Sequence, residues 1–172
     1  MSNSVVITSA VRTAVGSMNK SLKHIPGDEL GSVVISEAIK RSNITKEEVD
    51  EVIMGQVLTG GTGQNPARQA AIKSGIPKEK PAYIVNQVCG SGIRSIACGY
   101  QSIKTGDSKI IIAGGQENMS LAPHSIHLRG GKKLGNATMI DTMINDGLWD
   151  AFHNYHMGIT AENVATKFQV KR

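Results

Sequence analysis

The 172-residue sequence contains few cysteines, few aromatic residues and no long apolar run. Two cysteines, Cys89 and Cys98, are too few for a disulfide scaffold and are typical of a reducing compartment. No apolar run approaches the roughly 18 residues that a membrane-spanning helix needs. No acidic residue precedes Asp28, a composition that transit peptides share. Because residues 5–9 have the pattern of a first strand, we expect a mature N-terminus and a cytoplasmic protein without a membrane anchor.

The charge of the chain gives little information about its function. A formal net charge of +5 is compatible with an anionic ligand that carries a nucleotide, or simply with solubility. Basic residues are not interleaved with aromatic ones, so we expect no nucleic-acid partner. The most basic cluster, residues 129–133, is interpreted as a solvated loop in preference to an anion site.

Apolar segments with strand character alternate with helical patterns along the first two thirds of the chain. The predicted strands are residues 5–9, 51–57, 82–86 and 109–113. The last of them contains an unbroken run of isoleucines, which is typical of a sheet covered on both faces. This alternation predicts an α/β layer with mostly parallel strands.

Local signals mark where the helices begin and end. Asp28 is a predicted N-cap, and Thr45 with Glu48 has the capping-box spacing of a short second helix. Asn65 followed by proline predicts another helix start. A fourth helix carries an apolar stripe and should stop at Gly106. The stripe consists of Ile93, Ile96, Ala97, Tyr100 and Ile103.

Cys89 is the residue that best fits a chemical role. It lies between a predicted strand and a predicted helix, and glycines on both sides of Ser91 allow a sharp turn and a close approach to a ligand. At a helix N-terminus, unpaired N–H groups and the helix dipole favour the thiolate. Such a thiol is suited to accept an acyl group; the alternative is a buried structural cysteine in a tight turn.

Other reactive residue types are better explained by structure. Cys98 lies in the body of the predicted helix, where a small core residue is expected. The pairs His124/His127 and His153/His156 lack a third ligand, so no metal site is expected. The glycine-rich residues 60–63 lack the lysine of a phosphate-binding loop and indicate a flexible turn.

Five motifs in order along the chain resemble those of thiolases of the acetyl-CoA acetyltransferase type. They are Val-Val-Ile-Thr-Ser-Ala-Val-Arg-Thr-Ala-Val-Gly from Val5, Gly-Gln-Asn-Pro-Ala-Arg-Gln-Ala from Gly63, Asn-Gln-Val-Cys-Gly-Ser-Gly from Asn86, Gly-Gly-Gln-Glu-Asn-Met-Ser from Gly114 and Tyr-His-Met-Gly-Ile-Thr-Ala-Glu-Asn from Tyr155. Each motif alone is weak, but the ordered set is specific.

The resemblance implies a layered αβαβα fold. Residues 1–117 would form the N-terminal α/β half, and residues 118–172, which include the irregular stretch 118–154, most of a loop domain that covers the substrate. It implies reversible joining of two acetyl-CoA molecules into acetoacetyl-CoA through a thioester on Cys89. Leu148, His156 and Met157 would lie beside the pantetheine or acyl group. No metal or redox cofactor is expected, since coenzyme A enters as a substrate.

The sequence also departs from the family pattern. The second catalytic cysteine, the Gly-His-Pro histidine and the Asn-Glu-Ala-Phe segment of the C-terminal half do not occur in it. We therefore expect a truncated or split enzyme that is inactive alone, and that forms a homo-oligomer or joins a complementary C-terminal thiolase chain. The missing half should leave apolar surface exposed.

Three other interpretations are considered. A non-catalytic remnant or interaction module is the main alternative. Another condensing enzyme of the same fold, such as a ketoacyl synthase, is disfavoured by the Gln-Asn-Pro-Ala-Arg-Gln and His-Met-Gly segments. A papain-like protease is disfavoured because its signature around the cysteine is absent.

Overall fold

The computed structural model describes residues 4–171, which divide into two compact units. The first unit extends to Leu121 and the second begins at Ala122. Within the described residues, none of the helices is long and apolar enough to cross a membrane.

The first unit is built on a three-stranded parallel sheet in the order β2-β1-β3. Strand β1 spans Glu51–Gly55, β2 spans Ala82–Val85 and β3 spans Ile111–Gly115. Val52 pairs with Ala82 on one side of β1 and with Ile112 on the other. The central strand is almost wholly buried, as expected for a parallel sheet with both faces covered. The predicted α/β class is therefore confirmed.

Helices α1, Gly27–Arg41, and α2, Pro66–Lys73, pack against each other and cover one face of this sheet. Because side chains alternate along a strand, every second residue of β1 contributes to this core. The core contains Ile35, Ile39, Val49, Val52, Met54, Ala67, Ala70, Ala71 and Ile76. The predicted start of α2 is confirmed, since Asn65 is its N-cap and accepts a hydrogen bond from the Arg68 N–H.

Helix α3, Ser91–Thr105, covers the opposite face and ends at Gly106 as predicted. Its buried face consists of small residues, Ser91, Ser95 and Gly99. A Cβ on Gly55 of β1 would lie within 2.6 Å of the backbone at the first turn of α3, so helix and strand are in direct backbone contact. The apolar stripe of α3 faces away from the sheet, and Ile93 is 73% exposed.

Three local predictions were wrong. Residues 5–9 form no strand; the Ser9 hydroxyl instead donates to Ala38 O of α1 at 3.0 Å, and Val6 and Ile7 are exposed. Thr45 and Glu48 make their capping contact, but only a turn follows. Helix α1 begins after Pro26, whereas Asp28 is buried in its first turn and pairs with a lysine of α2. In each case a tertiary contact, or the lack of a pairing strand, outweighs the local signal.

The second unit contains two short antiparallel hairpins and a helix. Strand β4, His124–Ser125, pairs with β5, Ile140–Asp141. A π-helical segment, Met143–Leu148, leads into β6, Trp149–Asp150, which pairs with β7, Tyr155–His156. Helix α4, Met157–Phe168, follows directly.

The backbone contact at Gly55 predicts a large effect of adding one methyl group. Gly55→Ala should destabilise the protein by about 3 kcal/mol, because α3 or β1 must move to accept the new carbon atom. The matched control is Gly92→Ala, since a Cβ there meets nothing within 4 Å; it should be neutral or stabilise by up to about 1 kcal/mol. Urea unfolding followed by circular dichroism compares the two. Equal effects would show that the contact is not tight.

Candidate active site

The carboxyl ends of the three parallel strands meet at one edge of the sheet. Ligands of open α/β sheets commonly bind at this edge. The chain leaves β1 at Gln56, β2 at Asn86 and β3 at Gln116. The candidate nucleophile Cys89 follows β2 by a few residues, so the topology places it at this edge.

Cys89 is exposed and lies on the turn that joins β2 to α3. The turn is closed by a hydrogen bond from the Gly90 N–H to Gln87 O, 3.0 Å in length. The side chain of Asn86 accepts from the Val88 N–H at 2.9 Å. Val88, directly before the cysteine, has a left-handed backbone with φ of 49°. The first N–H groups of a helix have no intrahelical acceptor; here the Ser91 N–H donates to Val88 O within the turn at 3.0 Å.

A buried polar cluster lies where β1 and β3 end. Gln116 donates through its side-chain amide to Gln56 Oε1 at 2.9 Å, and Gln56 donates to Leu58 O at 3.1 Å. Both glutamines are buried. These hydrogen bonds connect the start of the loop after β1 to the end of β3. Breaking them would be unfavourable, because a buried polar group without a partner costs free energy.

Glu117 continues this cluster. One of its carboxyl oxygens accepts from the Val57 N–H at 2.8 Å and the Leu58 N–H at 3.3 Å. Its other oxygen is buried without a hydrogen-bond partner. Burial raises the pKa of Glu117 above its ordinary value, although the two N–H donors act in the opposite direction.

The glycine-rich residues 60–63 form a turn, as predicted. Gly61 and Gly63 both have left-handed φ angles. The Gln69 side chain, on α2, donates to Thr62 O and to Gln64 O, each at 2.9 Å. The loop is thus held by the Gln69 side chain of α2.

The three predicted substrate-binding residues gather in the second unit. Trp149 pairs with His156 in the β6–β7 hairpin, so Leu148 and Met157 flank this pair at the open end of the hairpin. His156 and Met157 are exposed, and Leu148 is half-buried. His156 is also the N-cap of α4, and its Nδ1 accepts from the Gly158 N–H at 3.0 Å. Neutral His156 therefore carries its proton on Nε2.

Hydrogen bonds within the β6–β7 hairpin hold its connecting turn in shape. Trp149 donates from its indole N–H to Asn154 Oδ1 at 3.0 Å. Asp150 accepts from the N–H groups of His153 and Phe152, and these bonds lower its pKa. The ring of His153 lies 3.0 Å from the other oxygen of the same carboxylate.

Residues 4–171 contain no group of three or more histidine, cysteine or acidic side chains that could hold a metal ion. His124 lies 3.8 Å from Asp141 across the β4–β5 pair, so this histidine has a structural partner. Cys98 lies on α3, as predicted, and both cysteines are free thiols.

The buried cluster of Gln56, Gln116 and Glu117 was not predicted from the sequence. The available signal was the position of these residues: each polar side chain follows an apolar strand directly or by one residue. Polar residues that directly follow parallel strands are placed by the topology at the same edge of the sheet.

The fold and the site define the class: α/β proteins with an exposed cysteine at the carboxyl edge of a covered parallel sheet. The family model "Thiolase, N-terminal domain" matches residues 5–172. The chain therefore belongs to the thiolase family, and the resemblance inferred from its motifs is confirmed.

Similar proteins are named as acetyl-CoA acetyltransferases. The chain is 60% identical to the acetyl-CoA acetyltransferase of Rhizobium meliloti (strain 1021) over an alignment of 173 residues. The alignment covers all of this chain and 44% of that protein. The chain is 56% identical over 172 residues to the acetyl-CoA acetyltransferase of Shinella zoogloeoides, with the same coverage. The cytosolic acetyl-CoA acetyltransferase of Rattus norvegicus is 55% identical over 171 residues, 99% of this chain and 43% of that protein. The chain thus spans less than half the length of these relatives.

The raised pKa of Glu117 predicts a pH-dependent contribution to stability. The folded state holds this proton more tightly than the unfolded state, so stability falls as pH rises from the ordinary value of 4.5 through the raised value. Glu117→Gln keeps an acceptor for Val57 and Leu58 but cannot ionise. The variant should therefore become more stable relative to the wild type between pH 4 and about pH 7.

Urea unfolding of both proteins across this range measures the difference. Glu37→Gln is the control of opposite sign, because hydrogen bonding to Arg41 lowers the pKa of Glu37. That variant should lose stability relative to the wild type as the pH rises. A Glu117→Gln difference that is constant with pH would contradict the assignment.

Proposed function

We propose that this chain forms the acyl-accepting part of an acetyl-CoA C-acetyltransferase. The observation that carries the proposal is the exposed thiol of Cys89 on the strand-to-helix turn, inside a chain that the thiolase N-terminal model matches from residue 5 to residue 172. The relatives that bear this enzyme name cover the same residues.

The first half-reaction is the transfer of an acetyl group to Cys89. The sulfur attacks the acetyl carbonyl carbon of acetyl-CoA, a new carbon–sulfur bond forms, and the bond to the coenzyme A sulfur breaks. The departing thiolate takes up a proton. In the second half-reaction, another acetyl-CoA loses a methyl proton, and its enolate attacks the thioester carbon to form the new carbon–carbon bond of acetoacetyl-CoA. The bond from that carbon to the Cys89 sulfur breaks, and the released thiolate takes up the proton.

In this proposal the second unit contributes the substrate surface. Leu148, His156 and Met157 contact the pantetheine or acyl group of the coenzyme A thioester. Their common position at the open end of the β6–β7 hairpin supports this role. Coenzyme A thioesters and coenzyme A are the substrates, and the proposal includes no metal or redox cofactor.

The remaining acid–base groups are proposed to come from polypeptide outside these 172 residues, in the same chain or in a complementary one. Two observations support this. The relatives are more than twice as long as the matched region, and helix α3 exposes an apolar stripe in which Ile93 is 73% and Tyr100 50% exposed. Exposed apolar surface of this kind is typical of an interface. A homo-oligomer and a cytoplasmic location complete the proposal, the latter supported by the cytosolic rat relative.

Acetyl transfer to Cys89 is directly measurable. The chain, alone and with a thiolase C-terminal half supplied, is incubated with acetyl-CoA, and intact-mass and peptide mass spectrometry locate the acetyl group. We expect one acetyl group on Cys89, none in Cys89→Ala, and unchanged labelling in Cys98→Ala, the matched control at the other free cysteine, on α3. No label under either condition would contradict the role of Cys89.

The isolated chain should not complete the catalytic cycle. Removing general acid–base groups typically costs 10²–10⁴-fold in rate, and no C-terminal thiolase motif occurs in this sequence. We expect cleavage of acetoacetyl-CoA by coenzyme A to stay near the uncatalysed rate, as measured by the loss of acetoacetyl-CoA absorbance. Full turnover by the purified chain would show that the acid–base groups lie within it.

A further inference from the structure

The turn that presents Cys89 contains a strained residue. Val88 has φ of 49°, in the left-handed region that β-branched residues rarely adopt. Such a conformation persists only where surrounding contacts fix it. The question is which contacts hold Val88, because relaxing it would turn the peptide bond that joins it to Cys89.

The hydroxyl of Ser91 contacts both the strained residue and the residue before it. Its oxygen accepts from the Gln87 N–H at 2.9 Å, and its proton is donated to Val88 O at 2.6 Å. The Ser91 N–H donates to the same carbonyl at 3.0 Å. One side chain thus fixes two backbone groups of the turn.

Ser91 is itself firmly placed. It is only 4% exposed, and its backbone rests on Gly55 of β1, where a Cβ would lie within 2.6 Å of Ser91 O. It does not act as a helix cap, since the N-cap position of α3 is Gly90 and has no side-chain cap. The bonds of the Ser91 hydroxyl therefore serve the turn and not the helix.

We propose that Ser91 is a positioning residue: its buried hydroxyl holds Val88 in the left-handed conformation and so fixes the orientation of the Cys89 thiol. The catalytic part of this inference rests on the proposed role of Cys89. The conformational part does not, and can be tested separately.

The conformational part is tested by nuclear magnetic resonance on the whole chain. The amide-to-Hα coupling and the Cα and Cβ shifts of Val88 report the sign of its φ angle. We expect a left-handed signature in the wild type and its loss in Ser91→Ala. A left-handed Val88 that persists in Ser91→Ala would overturn the proposal, whatever the activity of Cys89.

The catalytic part is tested by the rate of acetyl transfer from acetyl-CoA to Cys89 in four proteins: wild type, Ser91→Ala, Val88→Gly and the double variant. Ser91→Ala should be about tenfold slower, in keeping with the strain of a left-handed β-branched residue. Glycine adopts this conformation without cost. The acetyl-transfer rate of the double variant should therefore lie within about threefold of the rate of Val88→Gly. The effect of Ser91→Ala would then be smaller in the presence of Val88→Gly, which is the non-additivity expected of two contacting residues.

The outcomes separate the possibilities. A double variant as slow as Ser91→Ala, or a Ser91→Ala protein as fast as the wild type, would overturn the positioning role. If Ser91→Ala does not fold, folding of the double variant would support the proposal, and failure of both would overturn it. A wild type that is never acetylated would refute the proposed function, while the resonance measurement would still decide what holds Val88.

Discussion

The backbone contact between Gly55 of β1 and the first turn of α3 determines the geometry of the candidate site. No side chain separates the two segments, so the start of α3 lies at a fixed height above the sheet. Cys89 lies two residues before Ser91, the first residue of α3, so the position of the helix start fixes the position of Cys89. The small residues Ser95 and Gly99 extend the close approach along the helix, and the Ser95 hydroxyl bonds to Gly114 O of β3 at 2.7 Å. The site therefore depends on the absence of side-chain volume at a few positions.

The sequence predicted those features that local chemistry determines. Asn65 and Pro66 predicted the start of α2 because an N-cap followed by proline is a local signal. Gly106 predicted the end of α3 for the same reason, since its left-handed conformation suits glycine. Residues 5–9 show the limit of such reasoning. Their pattern favours a strand, but a strand exists only with a pairing partner, and within the described residues they pair with none.

The candidate site also has features that local sequence predicts and features that depend on long-range contacts. The turn around Cys89 was predicted because its glycines, the strand before it and the helix after it are neighbours in sequence. Two hydrogen bonds join residues 60 positions apart: the Gln116 side chain donates to Gln56, and the Val57 N–H donates to Glu117. They depend on the register of β1 and β3, which no local pattern encodes. Helix α3 was predicted with its apolar stripe, but which face meets the sheet depends on where the close backbone contact lies.

The hydrogen bonds of Asn118 join it to a segment far earlier in the chain and so bear on the order of folding. Its side-chain amide donates to Leu22 O at 2.9 Å and to Ile25 O at 2.7 Å, across 96 and 93 positions. During synthesis the segment before α1 emerges first, yet these bonds form only once Asn118 has left the ribosome. Contacts of such separation are slow to form. The segment before α1 is thus made well before the residue that anchors it.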